Sequence, residues 1–167
     1  MQVGDYVLKG TDVYTIDDMR EESIANMPAR NYYILSPAYE TKHRLGGTSY
    51  VPVDKADMTI RPVPTKEEVA DLFVQSEEGR EFKWIDNRNK RINAARSILS
   101  SGDLVDIIKL ERLYHKRYEF VEAEDKSLSG KDNELATRGF ELIVHVVAAS
   151  HGISAEEAES VAREMLL

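Results

Sequence analysis

The spacing of apolar residues changes once along this chain, near residue 64, and this change constrains the fold more than any other feature. Before it, five short segments rich in Val, Ile and Tyr are separated by Gly, Asp, Asn and Pro, which is typical of β-strands. After it, apolar residues recur at three- and four-residue intervals, which is typical of helices. The sequence therefore predicts an α+β chain: a small five-stranded antiparallel sheet or barrel, followed by an all-α helical bundle.

The predicted strands are short and bounded by turn residues; they are Asp5–Leu8, Asp12–Ile16, Asn31–Leu35, Thr48–Asp54 and Met58–Val63. Pro52 lies inside the fourth segment. Because proline cannot donate a hydrogen bond to a neighbouring strand, the pattern predicts an edge strand or a bulge there. The polar stretch 21–30 is predicted to be a hairpin loop.

Three parts of the chain follow from this pattern. Residues 1–63 form the predicted sheet domain, residues 64–82 a linker helix and loop, and residues 83–167 a helical domain. The linker helix begins with a capping box, in which Thr65 and Glu68 satisfy backbone N–H groups reciprocally.

The helical domain is predicted to contain four helices. A basic helix over 85–99 ends at Gly102, which suits a left-handed backbone, and Asp103 suits the N-cap of the next helix. That helix runs to about residue 124, a third, mostly apolar helix covers about 134–150, and the last begins after Ser154, which forms a second capping box with Glu157.

Composition restricts the environment and the chemistry. The chain has 167 residues, a formal net charge of -8 and no cysteine, which excludes disulfides and cysteine-ligated metals and fits a reducing cytoplasm. No apolar run approaches the roughly 18 residues of a membrane span, so no membrane partner is expected.

Charge is distributed unevenly. Residues 1–82 hold nine basic and fifteen acidic side chains, residues 83–117 hold nine and four, and residues 118–167 hold four and eleven. A basic segment between two acidic ones indicates an anionic partner, although a solvated helix face has the same composition.

The basic residues form a pattern on the two predicted helices. On the helix from Leu104, Lys109, Arg112 and Lys116 follow helical spacing and are predicted to form a stripe pointing to solvent, away from the apolar stripe. On the preceding helix, Lys90 projects away from the apolar face and Arg91 flanks it. Arg88 falls within the apolar arc, where its stem can cover the core.

Trp84, the only tryptophan, precedes this basic helix. It either packs the linker onto the helical domain or is an exposed apolar wedge beside cations. The second arrangement suits minor-groove binding, in which an inserted ring separates a base step while Arg and Lys hold phosphates.

Signals for catalysis are absent from the sequence. His43, His115, His145 and His151 have no metal-ligand spacing on a shared face, and no glycine-rich loop with the spacing of a phosphate-binding motif occurs. The sequence therefore predicts a protein that is not an enzyme and has no metal, cofactor or small-molecule substrate.

Three stretches together resemble the CarD/CdnL-type bacterial transcription regulators. "ILSSGDLVDIIKLERLYHKR" resembles the family's Leu-x-Ser-Gly-Asp junction between two helices. "VGDYVLKGTDVYTIDD" and "YVPVDKADMTIRPV" resemble its opening and closing strands. Counting back from the junction, the usual position of the family's tryptophan falls at Arg88, one helical turn after Trp84.

The resemblance implies a Tudor-like N-terminal domain that docks on the RNA polymerase β subunit and a helical domain that contacts promoter DNA, changing open-complex stability. The implied polymerase-binding residues are Arg20, Tyr50, Val51 and Pro52. The implied DNA-binding residues, with Trp84 as the wedge, are Trp84, Arg88, Lys90, Arg91, Lys109, Arg112 and Lys116. The alternative is an adaptor of the same fold that binds polymerase or another protein without contacting DNA.

Overall fold

The computed structural model of the chain describes residues 1–42 and 47–167, so His43 lies outside the described residues. The chain forms two compact units, Met1–Val63 and Pro64–Leu167. The architecture is α+β, as predicted, with an antiparallel sheet in the first unit and a set of packed helices in the second.

In the described part of the first unit, the sheet has five strands in the order β4-β3-β2-β1-β5. They are β1 (Tyr6–Lys9), β2 (Asp12–Glu22), β3 (Arg30–Pro37), β4 (Ser49–Pro52) and β5 (Arg61–Pro62). The sheet is open among the described residues, since β4 and β5 are its two edges, and the barrel alternative is not realised. Pro52 lies on an edge strand, as predicted for a residue without a backbone N–H.

The fifth predicted strand is shorter than expected because its first part is helical. Residues Val53–Lys55 form a 3₁₀ turn, and α1 (Ala56–Thr59) follows. Ala56 and Ile60 are both 3% exposed and belong to the core of the sheet. A strand would place Met58 on the same face as these two residues, but Met58 is 88% exposed, which fits a helical turn that carries Met58 to the opposite side.

β2 is longer than predicted and continues through the polar run that ends at Glu22. It pairs with β3 along this whole length, with a bulge between Ile16 and Asp18. The polar residues after the bulge are exposed, which is why the apolar pattern alone ends the strand too early.

The second unit contains five helices, of which the first is the predicted linker helix. They are α2 (Lys66–Glu77), α3 (Arg88–Ser101), α4 (Leu104–Ala123), α5 (Gly130–His151) and α6 (Ala155–Leu166). α2 packs against α4 and α5, so residues 64–82 belong to the second compact unit rather than standing between two units. In the part of the chain that is described, no helix is long and apolar enough to cross a membrane.

The predicted helix caps are confirmed. Thr65 and Glu68 form a complete capping box at the start of α2. Gly102 ends α3 with a φ of 69°, a left-handed conformation that favours glycine, and the Asp103 side chain accepts from the backbone N–H of Asp106 at the start of α4. Ser154 caps α6 by accepting from the backbone N–H of Glu157, but the reciprocal half of the predicted capping box does not form, since the Glu157 carboxylate accepts from the Ser154 hydroxyl instead. These caps fix the turn between α3 and α4, which carry most of the basic segment.

Glu111 on α4 is a buried carboxyl in the core of the second unit. Its residue is 5% exposed, and its Oε1 has no hydrogen-bond partner in the described part of the chain. Gly139 on α5 packs directly against this carboxyl, so that a side chain at 139 would collide with it. Burial raises the pKa of Glu111 well above its ordinary value, because the charged form loses its hydration.

The raised pKa of Glu111 predicts a pH-dependent loss of stability. Its folded pKa lies above the unfolded value of about 4.3, so its contribution to stability is fully present below that value and is lost as the pH rises towards the folded pKa. Glu111→Gln removes the ionisation, and we expect its stability to rise progressively relative to that of wild type as the pH increases above about 4.3, by up to about 1.4 kcal/mol per pH unit.

Urea unfolding at a series of pH values measures this difference. The control is Glu122→Gln, which changes an exposed carboxyl on the same helix. If the free energy of unfolding changes with pH in the same way in wild type and in Glu111→Gln, position 111 does not bury an ionisable group.

Candidate nucleic-acid interface

The predicted cationic stripe on α4 does not point freely to solvent. The Arg112 side chain is only 16% exposed and donates to Ser76 Oγ at 2.5 Å, to Glu77 Oε1 at 3.4 Å and to the Met165 carbonyl at 3.3 Å. The solvent-facing prediction is therefore wrong for Arg112. Its guanidinium joins α2 and the end of α6 to α4, a purely internal role.

Lys109 and Lys116 are engaged by the segment that follows α2. Lys109 Nζ lies 3.4 Å from the Arg80 carbonyl and 5.8 Å from the centre of the Phe82 ring. Lys116, which is 64% exposed, forms an ion pair with Glu81, and this partner lowers the pKa of the Glu81 carboxyl. The stripe thus holds residues 80–82 over α4, and its charge is partly compensated within the chain.

Arg91 is also an internal residue rather than a free cation. Its Nε and Nη2 donate to Asp132 Oδ1 and Oδ2 at 2.9 and 2.8 Å, a bidentate ion pair. Nη1 donates to the carbonyls of Ile85 and Asp86 at 3.0 and 3.2 Å. The Arg91 side chain is 13% exposed and that of Asp132 1% exposed, so little water competes with the pair.

Asp132 is held at the start of α5 by its own cap. Ser129 Oγ donates to Asp132 Oδ2 at 2.5 Å and accepts from its backbone N–H at 3.1 Å. Burial pushes the pKa of Asp132 upward, but the hydrogen bonds from Arg91 and Ser129 and the Arg91 charge outweigh burial and keep the pKa below its ordinary value. The carboxylate stays ionised and pairs with Arg91, whose own pKa the hydrogen bond raises.

Trp84 is partly buried, and its ring is surrounded by the chain's own side chains. The guanidinium groups of Arg91 and Arg117 lie 4.5 and 4.8 Å from the centre of the ring, and Tyr114 meets it edge to face at 6.1 Å. Cation–π contacts contribute about 0.5–1 kcal/mol where they are exposed and about 2 kcal/mol where they are desolvated, and these partly buried contacts fall within that range. In this structure Trp84 occupies the packing position of the two alternatives rather than that of a free wedge.

The free cations of the basic segment lie on α3 and in the segment before it. Arg88 and Lys90 are exposed, as are three cations that the sequence interpretation did not select: Arg80, Lys83 and Arg96. Within residues 1–42 and 47–167, the side chains of these five form no ion pair or hydrogen bond. No acidic residue occupies the first turn of α3, where acidic residues are normally preferred. Positive potential is therefore concentrated at this end of the helix.

The residues implied for polymerase docking lie on the β4 side of the sheet. Arg20, Tyr32 and Pro52 are direct cross-strand neighbours on β2, β3 and β4, so their side chains share one face. Tyr50 shares that face, is 42% exposed and contacts Tyr32 edge to face. Arg20 is flanked by Glu22 at 2.8 Å and Asp18 at 3.8 Å.

Val51 points the other way and differs from its neighbours. It is 1% exposed and belongs to the core of the sheet, so that its side chain is not available to a partner. Only its main chain lies along the β4 edge. The sheet thus brings together the side chains of Arg20, Tyr50 and Pro52, and Val51 contributes backbone alone.

Sequence reasoning missed Asp132 and Arg117, which hold Arg91 and Trp84. For Asp132 a signal exists, since Ser129 followed three residues later by Asp is a capping-box pattern and would also have moved the predicted start of this helix from 134 to 130. For Arg117 no local pattern predicts stacking on a ring more than thirty residues away. Among the described residues, no group of three or more His, Asp or Glu is placed to hold a metal ion.

Neither family models nor curated proteins offer a relative for this chain: no family model matches it, and no curated protein matches it significantly.

The Arg91–Asp132 pair generates a stability prediction. Asp132→Ala leaves Arg91 buried without its carboxylate, which costs about 3–5 kcal/mol when one partner of a buried pair is removed. We expect a loss of this size in urea unfolding, together with a red shift of the Trp84 emission as the Arg91 guanidinium leaves the ring. The matched control is Glu134→Ala, which removes an exposed carboxylate of the same helix from its contact with Lys131.

The pair also predicts the acid limb of the stability curve, which is the decrease in the free energy of unfolding as the pH falls. Because the folded pKa of Asp132 is depressed, its stabilisation is present above the unfolded pKa of about 3.9 and is lost as the pH falls through the folded value. Asp132→Asn should therefore flatten the acid limb. An acid limb as steep as that of wild type would show that Asp132 is not ionised in the fold.

Proposed function

We propose that this chain is a bacterial transcription regulator similar to the CarD/CdnL type, acting in the cytoplasm and without catalytic activity. Its sheet unit docks on the RNA polymerase β subunit, and its helical unit contacts promoter DNA and changes open-complex stability. The proposal rests on the sequence resemblance and on one structural observation: five exposed cations on α3 and in the segment before it form no ion pair or hydrogen bond with the residues that the structure describes.

Two of these cations lie where they destabilise the helix slightly, which indicates that they serve a binding function rather than stability. Arg88 and Lys90 lie in the first turn of α3, at the positive end of the helix macrodipole. A cation there is disfavoured by about 0.3–1 kcal/mol. Arg88 interacts electrostatically with the Asp132 carboxylate but, like Lys90, forms no ion pair or hydrogen bond within residues 1–42 and 47–167. A position that sacrifices local stability in this way is typical of a binding surface. Phosphate oxygens satisfy both the cations and the helix end.

The proposed DNA contacts are therefore centred on α3 rather than on α4. Arg88 and Lys90 stay in the set, joined by Arg80, Lys83 and Arg96. Arg91 and Arg112 leave it, because both are held by internal hydrogen bonds. Lys109 and Lys116 can contribute only after releasing the 80–82 segment, and Trp84 only after releasing its two guanidinium neighbours.

Affinity for free DNA is expected to be weak. Five phosphate contacts give a salt slope of about -4, with a nonspecific dissociation constant of about 10⁻⁴ to 10⁻⁶ M. The net charge of -8 places the chain at the weak end of this range. Docking on polymerase compensates for this weak affinity, because it raises the local concentration of promoter DNA around the protein.

The polymerase contact is proposed at the β4 edge. An edge strand presents unpaired main-chain groups, which pair with a strand of a partner by β-augmentation. Tyr50 and Pro52 then flank the added strand on the face that also carries Arg20. The Arg20 ion pairs are about half exposed, and such pairs contribute only about 0–1 kcal/mol, so Arg20 can exchange Glu22 for a carboxylate of the partner.

The adaptor without DNA contact is the second candidate, and the engaged α4 cations favour it. Lys109, Arg112 and Lys116 already have partners within the chain, so the basic composition of α4 needs no nucleic acid to explain it. In this case the α3 cations are only a solvated surface, and the β4 edge carries the whole function.

Charge reversal on α3 separates the two candidates. We expect Arg88→Glu/Lys90→Glu to keep β-subunit binding in a pulldown but to lose upstream promoter protection in footprints of polymerase complexes, with the salt slope reduced by about 2. The matched control is Lys66→Glu/Lys126→Glu, which makes the same change in net charge at exposed sites on α2 and in the α4–α5 loop. Unchanged promoter protection in the α3 variant would support the adaptor, and loss of β-subunit binding in all variants would contradict both.

A further inference from the structure

A cavity of about 440 Å³ lies between α3, α4 and the segment Arg80–Ile85. Its floor is apolar and includes Ala94 and Ile98 of α3 with Leu113 of α4. Trp84 forms part of the wall. The volume is within the range of small-molecule sites, about 300–1,000 Å³, and such sites are mostly apolar with a few polar groups that fix orientation.

Two cations are among the residues that line this cavity, and the part that they form is called its rim. Arg80 and Lys83 line it, both are exposed, and neither side chain has an ion pair or hydrogen bond among the residues that the structure describes. The other charged residues at the cavity are already paired, Arg91 with Asp132 and Glu81 with Lys116. An apolar floor beside two free cations is complementary to a ligand with an apolar body and one anionic group.

A nucleobase fits this cavity less well. Single-stranded nucleic acids bind mainly by stacking bases on aromatic faces. Here Arg91 and Arg117 lie over the Trp84 ring, and Lys109 lies over that of Phe82. An aliphatic or aryl body that packs against the floor needs none of these faces.

We propose that the cavity is a binding site for a small anionic amphiphile, an acyl or aryl chain that carries one carboxylate. The apolar body lies against Ile98 and Leu113, and the carboxylate meets Arg80 and Lys83 at the rim. The site does not depend on the proposed function, because the free chain contains every residue that forms it.

Dodecanoate, below its micellar concentration, is the probe, and intrinsic fluorescence is the readout. The chain's only tryptophan lines the cavity, so a change in its emission reports occupancy directly. We expect a saturable change in Trp84 emission with a dissociation constant below about 1 mM. Dodecanol, which has the same chain without the charge, should bind about three- to tenfold more weakly, as expected for the loss of one or two partly exposed ion pairs.

Variants test the two parts of the site separately. Ala94→Phe fills the floor and should weaken dodecanoate binding at least about tenfold, because it occupies the space of the ligand's body. Arg80→Gln/Lys83→Gln should weaken dodecanoate to the level of dodecanol and leave dodecanol unchanged. The control, Lys66→Gln/Lys126→Gln, removes two exposed cations elsewhere and should leave both ligands unaffected.

Three results would overturn the proposal: no saturable change with dodecanoate, equal affinity for dodecanol, or undiminished binding by Ala94→Phe. If Ala94→Phe fails to fold, amide chemical shifts of the wild-type chain replace it. Shifts confined to the Arg80–Ile85 segment and the facing parts of α3 and α4 support the site, and shifts centred elsewhere contradict it. The binding experiments contain neither DNA nor polymerase, so a negative result does not contradict the proposed function. Likewise, a negative result in the pulldown or footprinting experiments does not contradict the cavity site.

Discussion

The ion pair between Arg91 and Asp132 is the interaction on which the basic region depends. It joins the start of α3 to the start of α5, and the same guanidinium holds two carbonyls of the segment before α3 and covers one side of the Trp84 ring. A buried pair need not add net stability relative to apolar residues, but it fixes geometry, since removing either partner leaves an uncompensated charge. The position of Trp84 and of the backbone at Ile85 and Asp86 depends on it, whereas residues 80–82 are held by Lys109 and Lys116 of α4.

Two classes of cation result from this arrangement. Those within reach of a carboxylate, a carbonyl or a ring fold back onto the protein, as Arg112 and Lys116 do. Those at the start of α3 remain exposed and form no ion pair or hydrogen bond in the part of the chain that the structure describes. A charge count along the sequence does not distinguish the classes, although only the second is ready to bind an anion. Local potential, rather than local composition, decides where a polyanion can be held on a chain whose net charge is -8.

Local features of the fold could be predicted from the sequence, and features set by tertiary contacts could not. The caps at Thr65, Gly102 and Asp103 depend on side chains within a few residues, and all three were predicted. Arg112 was wrongly predicted to point to solvent because a helical wheel considers one helix alone. In the structure, α2 and α6 cover this face of α4. The bidentate partner of Arg91 lies 41 residues away, and no periodicity within α3 indicates it.

The two proposed sites share a segment, and this sharing has a thermodynamic consequence. Arg80 and Lys83 lie at the rim of the cavity and also belong to the cations proposed to hold DNA phosphates. A carboxylate bound to Arg80 and Lys83 neutralises part of the positive charge that a phosphate at the same two residues needs. If both sites are occupied as proposed, linkage requires that each ligand weaken the other by the same factor. The segment before α3 is then the element through which a small anion lowers the hold of the protein on promoter DNA.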